Sequence, residues 1–345
     1  MVGDWEEDLG GCHDVTLPPY GENGTTEMDR EQEQMQFLGL FGIFKESFKI
    51  VHTWRKIFAQ ITLTLILPLT FIFLGHLEIS HLLFRDIKHT EYEQDVTRPG
   101  TKRYNKLSDT LSSEWITLLL FKVAYFTVLL ILSLLSTAAV VYTIASVYTG
   151  RDLTFKKVMS VVPKVWKRLM VTFLCMFAAI FVYNFIAAVV MIICMVIVPY
   201  NAFGIVLLYI VVIVYAMGFV YLTVIWQMAS VISVLESSYG IKAMTKSKDL
   251  IKGNRGVAIS IFFILNMSFI LIQFLFEILV VHGSSLGAWK RVGFGVLCSL
   301  LLLTFFLFGL VIQTILYLVC KSYHNENIDK GDLSNHLESY LEVEL

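Results

Sequence analysis

The sequence predicts an all-α fold, a polytopic membrane helical bundle of about six transmembrane helices in three repeats, each an amphipathic helix followed by a helix pair. Three observations predict it. Of the 345 residues, 56% are hydrophobic and only 16% are charged, a balance foreign to a soluble domain of this size. Six apolar runs reach about the 20 residues needed to cross a bilayer, and most exceed it. Basic segments with a helical apolar stripe lead into the first, third and fifth runs.

In chain order, residues 1–36 are acidic, with Asp4, Glu6, Glu7, Asp8 and Asp14, and hold too few apolar residues to offset the cost of ordering. They read as a disordered tail, and they lack the basic-then-apolar pattern of a secretory signal, so the first span must serve as the insertion signal. The transmembrane domain covers 37–322, with spans at about 57–75, 115–148, 169–198, 204–235, 257–281 and 292–320. A polar loop of about 40 residues separates the first two spans, a Pro199-Tyr200-Asn201 turn separates the third and fourth, and 323–345 is a polar tail. Pro68 is a candidate kink in the first span.

In the second basic segment Val158, Met159, Val162, Val165, Trp166 and Leu169 recur at three- and four-residue steps. Lys156, Lys157, Lys164, Lys167 and Arg168 fill the opposite face. Phe44, Phe48, Val51, Trp54 and Phe58 form the same stripe opposite Lys45, Lys49, Arg55 and Lys56. Met244, Leu250 and Ile251 do so more weakly opposite Lys242, Lys246, Lys248 and Lys252, with Arg255 following. Trp54-Arg55-Lys56-Ile57 and Trp166-Lys167-Arg168-Leu169 mark one junction twice, and Asn254-Arg255-Gly256-Val257 reads as a degraded third copy. These segments hold more than half of the 27 Lys and Arg residues. The positive-inside bias therefore makes their side cytoplasmic, together with both termini. The sequon Asn23-Gly24-Thr25 then faces the cytoplasm and is expected to be unmodified.

A formal net charge of -1 gives no global case for nucleic-acid binding. The five cysteines have neither metal-finger nor redox spacing and read as small packing residues, with Cys320 and Cys12 the candidates for palmitoylation. No nucleophile elbow, phosphate loop or zinc-protease helix is present in the sequence, so no catalytic residue, metal or cofactor is assigned.

The run Met28-Asp29-Arg30-Glu31-Gln32-Glu33-Gln34-Met35-Gln36-Phe37-Leu38-Gly39, continuing through Gly42-Ile43-Phe44-Lys45-Glu46-Ser47 and Trp54-Arg55-Lys56-Ile57-Phe58, resembles a family of plant multi-span membrane proteins of unassigned biochemical function. Cys320-Lys321-Ser322-Tyr323-His324 resembles the same family. A weaker similarity, around Glu236, Gly240, Ala243, Ser247, Leu250 and Gly253, is to membrane domains that accompany bacterial glycerophosphodiester phosphodiesterases. Those domains are not the catalytic part, so the similarity implies a membrane module and transfers no active-site residue.

Lys122 and Glu277 are the ionisable residues deepest in the apolar runs, where a charge costs several kcal/mol unless paired or hydrated. Their similar depth makes an ion pair between the second and fifth spans the expected arrangement. Asn184, Gln227, Asn266 and Gln273 also lie inside spans, where interhelical hydrogen bonding is the usual role. His76, Glu78, His81, Asp86, His89 and His282 are metal-ligand types with no recognisable site spacing. The leading expectation is a non-enzymatic membrane protein of the endomembranes or plasma membrane that organises membrane lipids, anionic ones foremost, or recruits a protein partner through its basic cytoplasmic helices. A transporter or channel with a cavity between repeats is the second reading, and a lipid-acting enzyme the third and disfavoured one.

Overall fold

The computed structural model describes residues 39–150, 153–197, 201–283 and 287–324. The acidic tail 1–36 with Cys12 and the Asn23 sequon, Pro199 and Tyr200 of the expected turn, and the C-terminal tail beyond His324 lie outside the described residues.

Among those residues the chain is helical, with no strand. We number the helices α1 (Leu40–Thr53), α2 (Arg55–Val96), α3 (Lys102–Tyr148), α4 (Phe155–Ile197), α5 (Ala202–Leu235), α6 (Ile241–Leu250), α7 (Arg255–Val281) and α8 (Ala288–Tyr323). Six of them, α2, α3, α4, α5, α7 and α8, are long and apolar enough to cross a membrane. In hydrocarbon only an element that satisfies its own backbone can do so, which is why these runs are helices throughout.

Two helices carry a π-helical turn. In α2 it spans Thr62–Ile66, just before Pro68, where the Leu67 amide reaches back to the Thr62 carbonyl. Proline has no amide hydrogen, and the wider turn re-pairs the backbone next to it. The second covers Glu277–Val281 at the end of α7.

The polar stretch after the first apolar run is a helical hairpin rather than the loop expected there. Helix α2 continues to Val96, and α3 starts at Lys102 after a turn in which Gly100 takes φ 82°. Buried Ile87 and Thr90 face α3, and the Thr90 hydroxyl donates to Glu114 at 3.1 Å. Polar composition had marked this stretch as leaving lipid, which does not require it to leave the helix. With 47 residues, α3 is about 70 Å long, more than twice the hydrocarbon thickness.

Cross-links fix an antiparallel order in which the ends of α3, α5 and α8 and the starts of α2, α4 and α7 share one end of the bundle. Thr172 of α4 meets Ser233 of α5 at 2.7 Å, and His324 after α8 meets the Leu250 carbonyl of α6 at 3.1 Å. This end is solid. Residues 136–146 of α3, 228–235 of α5 and 311–320 of α8 are buried on all sides, and the other helices wrap around them. A smaller cluster, Leu74, Phe276, Val281, Cys298 and Leu302, holds α2, α7 and α8 together toward the far end. There α4 and α5 form an arm: neither 177–197 nor 205–223 contains a buried residue.

Candidate functional site

The three basic segments converge on the solid end but are built differently. Helix α1 lies against α8 through Ile43, Ser47 and Ile50, which are buried, while Phe48 is exposed and stacks at its edge on Phe308, 6.2 Å between centroids. The expected stripe through Phe44, Phe48 and Val51 is thus rotated, because the small Ser47 permits closer helix contact. The second segment is not a separate helix. It is the first part of α4, continuous through Pro163, with Val158, Val161, Val162, Val165 and Leu169 buried. Trp166 therefore sits mid-helix, whereas Trp54 separates α1 from α2. Helix α6 is short and buries Ala243, Ser247 and Leu250, with the Ser247 hydroxyl donating to the Ile225 carbonyl at 2.9 Å.

Lys45, Lys49, Arg55, Lys56, Lys156, Lys157, Lys167, Lys242, Lys248, Lys252 and Arg255 are exposed at this end, and Lys164, Arg168 and Lys246 are half-buried. Lys242, Lys246, Lys252 and His324 line an open cleft of about 680 Å³ with Thr245 and Asp249. Lys252 pairs with Asp249 at 2.6 Å.

Behind the cleft lies an acidic centre to which sequence reasoning assigned no role. Glu236 caps α5, and its side chain is 14% exposed. Its Oε1 accepts from the Tyr317 hydroxyl at 2.6 Å and from Lys321 Nζ at 3.4 Å, and its Oε2 meets Lys246 Nζ at 2.8 Å. One carboxylate thus ties together α5, α6 and α8. Burial pushes its pKa up, but hydrogen bonds from Lys246 and Tyr317 and the charges of Lys321 and Lys246 outweigh burial and hold the carboxyl below its usual value. The available signal was an acid placed directly after an apolar run amid lysines.

Toward the far end, Lys122 and Glu277 line one pocket of about 280 Å³ with Leu77, Ser80, His81, Phe84, Leu118 and Val281. They are brought together there, but no ion pair joins them, which corrects the expected α3–α7 salt bridge. The rotation of α3 turns Lys122 toward α2, where His76 and Ser80 lie one helical turn apart. Lys122 Nζ is 2.8 Å from His76 Nε2 and donates to Ser80 Oγ at 2.9 Å. An ammonium only donates, so His76 Nε2 is the acceptor and the ring proton lies on Nδ1. The ring stacks on Tyr125 at 3.6 Å. At the same level Arg291 of α8 bonds to the Glu78 carboxylate and the Val280 carbonyl, and His81 meets His282 edge-on at 4.8 Å.

None of the intramembrane amides lines this pocket. Asn184 accepts from Tyr215 at 2.7 Å while Tyr183 donates to the Tyr215 carbonyl at 2.8 Å, so Asn184 joins α4 to α5. Asn266 donates within its own helix to Phe262, and Gln227 and Gln273 make no side-chain hydrogen bond among the described residues. Among those residues no group of three or more His, Cys, Asp or Glu side chains is placed to hold a metal.

No curated protein and no solved structure matches the chain. A family model described as a domain of unknown function, DUF8558, matches residues 28–344, so the chain belongs to that family.

Proposed function

We propose that the chain is a non-enzymatic multi-pass membrane protein, with its basic end and both termini in the cytoplasm, that gathers anionic lipid headgroups and through them a protein partner. The observation that carries this reading is the convergence of three basic segments around a core of buried, mostly apolar residues. Each Lys or Arg near an anionic surface contributes about 1 kcal/mol. The cleft over α6 places Lys242, Lys246 and Lys252 within one headgroup's reach. A threefold repeat of basic segment plus helix pair accounts for the corresponding burial of α3, α5 and α8, and fusion of the second segment into α4 is then divergence within the repeat.

The test is thermal unfolding of the purified full-length protein in detergent, with phosphatidylserine or phosphatidylcholine added at low and high salt. Phosphatidylserine should raise the melting temperature at low salt and lose this effect at about 0.5 M salt, where screening is nearly complete. Equal stabilisation by the two lipids would overturn the reading.

A further inference from the structure

We infer that the far-end pocket between α2, α3 and α7 is a binding site for a zwitterion carrying an oxyanion and an ammonium group, as in the headgroup of phosphatidylethanolamine.

The pocket holds charges of opposite sign that do not neutralise each other. Lys122 spends two of its three donors on His76 and Ser80, which leaves the third for a ligand. Among the described residues, the Glu277 carboxylate has neither a hydrogen bond nor an ion pair. A lone cation site or a lone anion site would leave one of these charges uncompensated. A ligand bearing both signs satisfies both, its oxyanion on Lys122 and its ammonium on Glu277. The volume of about 280 Å³ admits a headgroup and not a whole lipid.

Depth points the same way. Glu277 lies 22 residues beyond the start of α7, about 33 Å along it, and Lys122 lies about 39 Å from the other end of α3 at Tyr148. A hydrocarbon layer of about 30 Å that begins at the basic end therefore ends near both residues. Trp289, 91% exposed and two residues before the Arg291 that bonds the Val280 carbonyl, marks the same level as a membrane boundary. On the membrane side the pocket wall includes half-buried Leu77, 22 residues or about 33 Å along α2, which an acyl chain can follow.

The experiment uses full-length protein in detergent and measures binding of phosphatidylethanolamine, phosphatidylglycerol and water-soluble phosphoethanolamine by native mass spectrometry. The expected result is a preference of about tenfold for phosphatidylethanolamine over phosphatidylglycerol, equivalent to ~1.4 kcal/mol. Glu277→Gln should abolish this preference, and Lys122→Met should weaken both lipids. Lys122→Arg, which retains the charge, guards against misreading a folding defect, and Glu277 is exposed enough for its variant to fold. Binding of phosphoethanolamine alone would support the site with a water-borne ligand, and binding of the lipid alone would support it with a bilayer ligand. Failure of both to bind, or an unchanged lipid preference in Glu277→Gln, would overturn the inference. The basic-end reading rests on other residues and is untouched by either result.

Discussion

Replacing Glu236 with Gln removes one charge at almost constant shape from the point where α5, α6 and α8 meet. The amide keeps an acceptor for Tyr317 but presents an NH2 group to a lysine ammonium, donor against donor. Hydrogen bonds to charged groups contribute about 1.5–3 kcal/mol each, and breaking a fully buried pair costs about 3–5 kcal/mol. Lys246 is 33% exposed and rehydrates, so the loss settles at about 2–3 kcal/mol. At roughly 2–4 °C per kcal/mol for a chain of this size, the melting temperature should fall by about 5–10 °C at neutral pH. Because the folded-state pKa of Glu236 is depressed, its stabilisation is complete above the ordinary glutamate value of about 4.3 and is lost as pH falls through the folded value. Differential scanning fluorimetry from pH 7 downward should show the wild type converging on the variant in acid. Equal melting temperatures at pH 7, or a constant gap at every pH, would refute the reasoning.

Other perturbations are as specific. Thr172→Val removes a hydroxyl that accepts from the Gly240 amide at 2.7 Å and bonds Ser233, and should cost about 1–3 kcal/mol in the same thermal assay. Gly253→Ala forces a side chain onto φ +105° with its Cβ 2.3 Å from the Tyr323 ring, so we expect a loss of about 1–2 kcal/mol even after Tyr323 swings away. Changing Lys242, Lys248 and Lys252 together to Gln should leave the melting temperature in phosphatidylcholine nearly unchanged while removing about 3 kcal/mol of phosphatidylserine stabilisation, read from lipid titrations at low salt. Cysteines placed at Glu91 and Asn105 should react with a membrane-impermeant maleimide from the side opposite to one at Lys248; labelling of all three from the same side would break the topology.

The six spanning helices were legible because lipid demands long uninterrupted apolar runs, and 115–148 and 204–235 match the apolar parts of α3 and α5 closely. The hairpin from His76 to Glu114 was not legible: hydropathy reports where a chain leaves lipid, and its Ile87–Thr90 stripe is too sparse to announce a helix. Lys122 stood out in the sequence as a charge deep in an apolar run, yet its partners His76 and Ser80 are 46 and 42 residues away, and only the rotation of α3 decides which neighbour it meets. Glu236 carried a family similarity, but its structural role was hidden for a similar reason. Its hydrogen-bond partner Tyr317 and the ammonium of Lys321 belong to a helix 81 and 85 residues on, and local pattern carries no trace of them.

The paired extension of α2 and α3 has a geometric consequence. From Lys122 outward α3 runs a further 20 residues to Lys102, about 30 Å, braced by its neighbour along the way. With Lys122 at the level of the phospholipid headgroups, this is a stiff mast nearly as tall as the hydrocarbon layer is thick. With the hairpin upright on the bilayer, a second flat surface on that side would approach no closer than the mast tip.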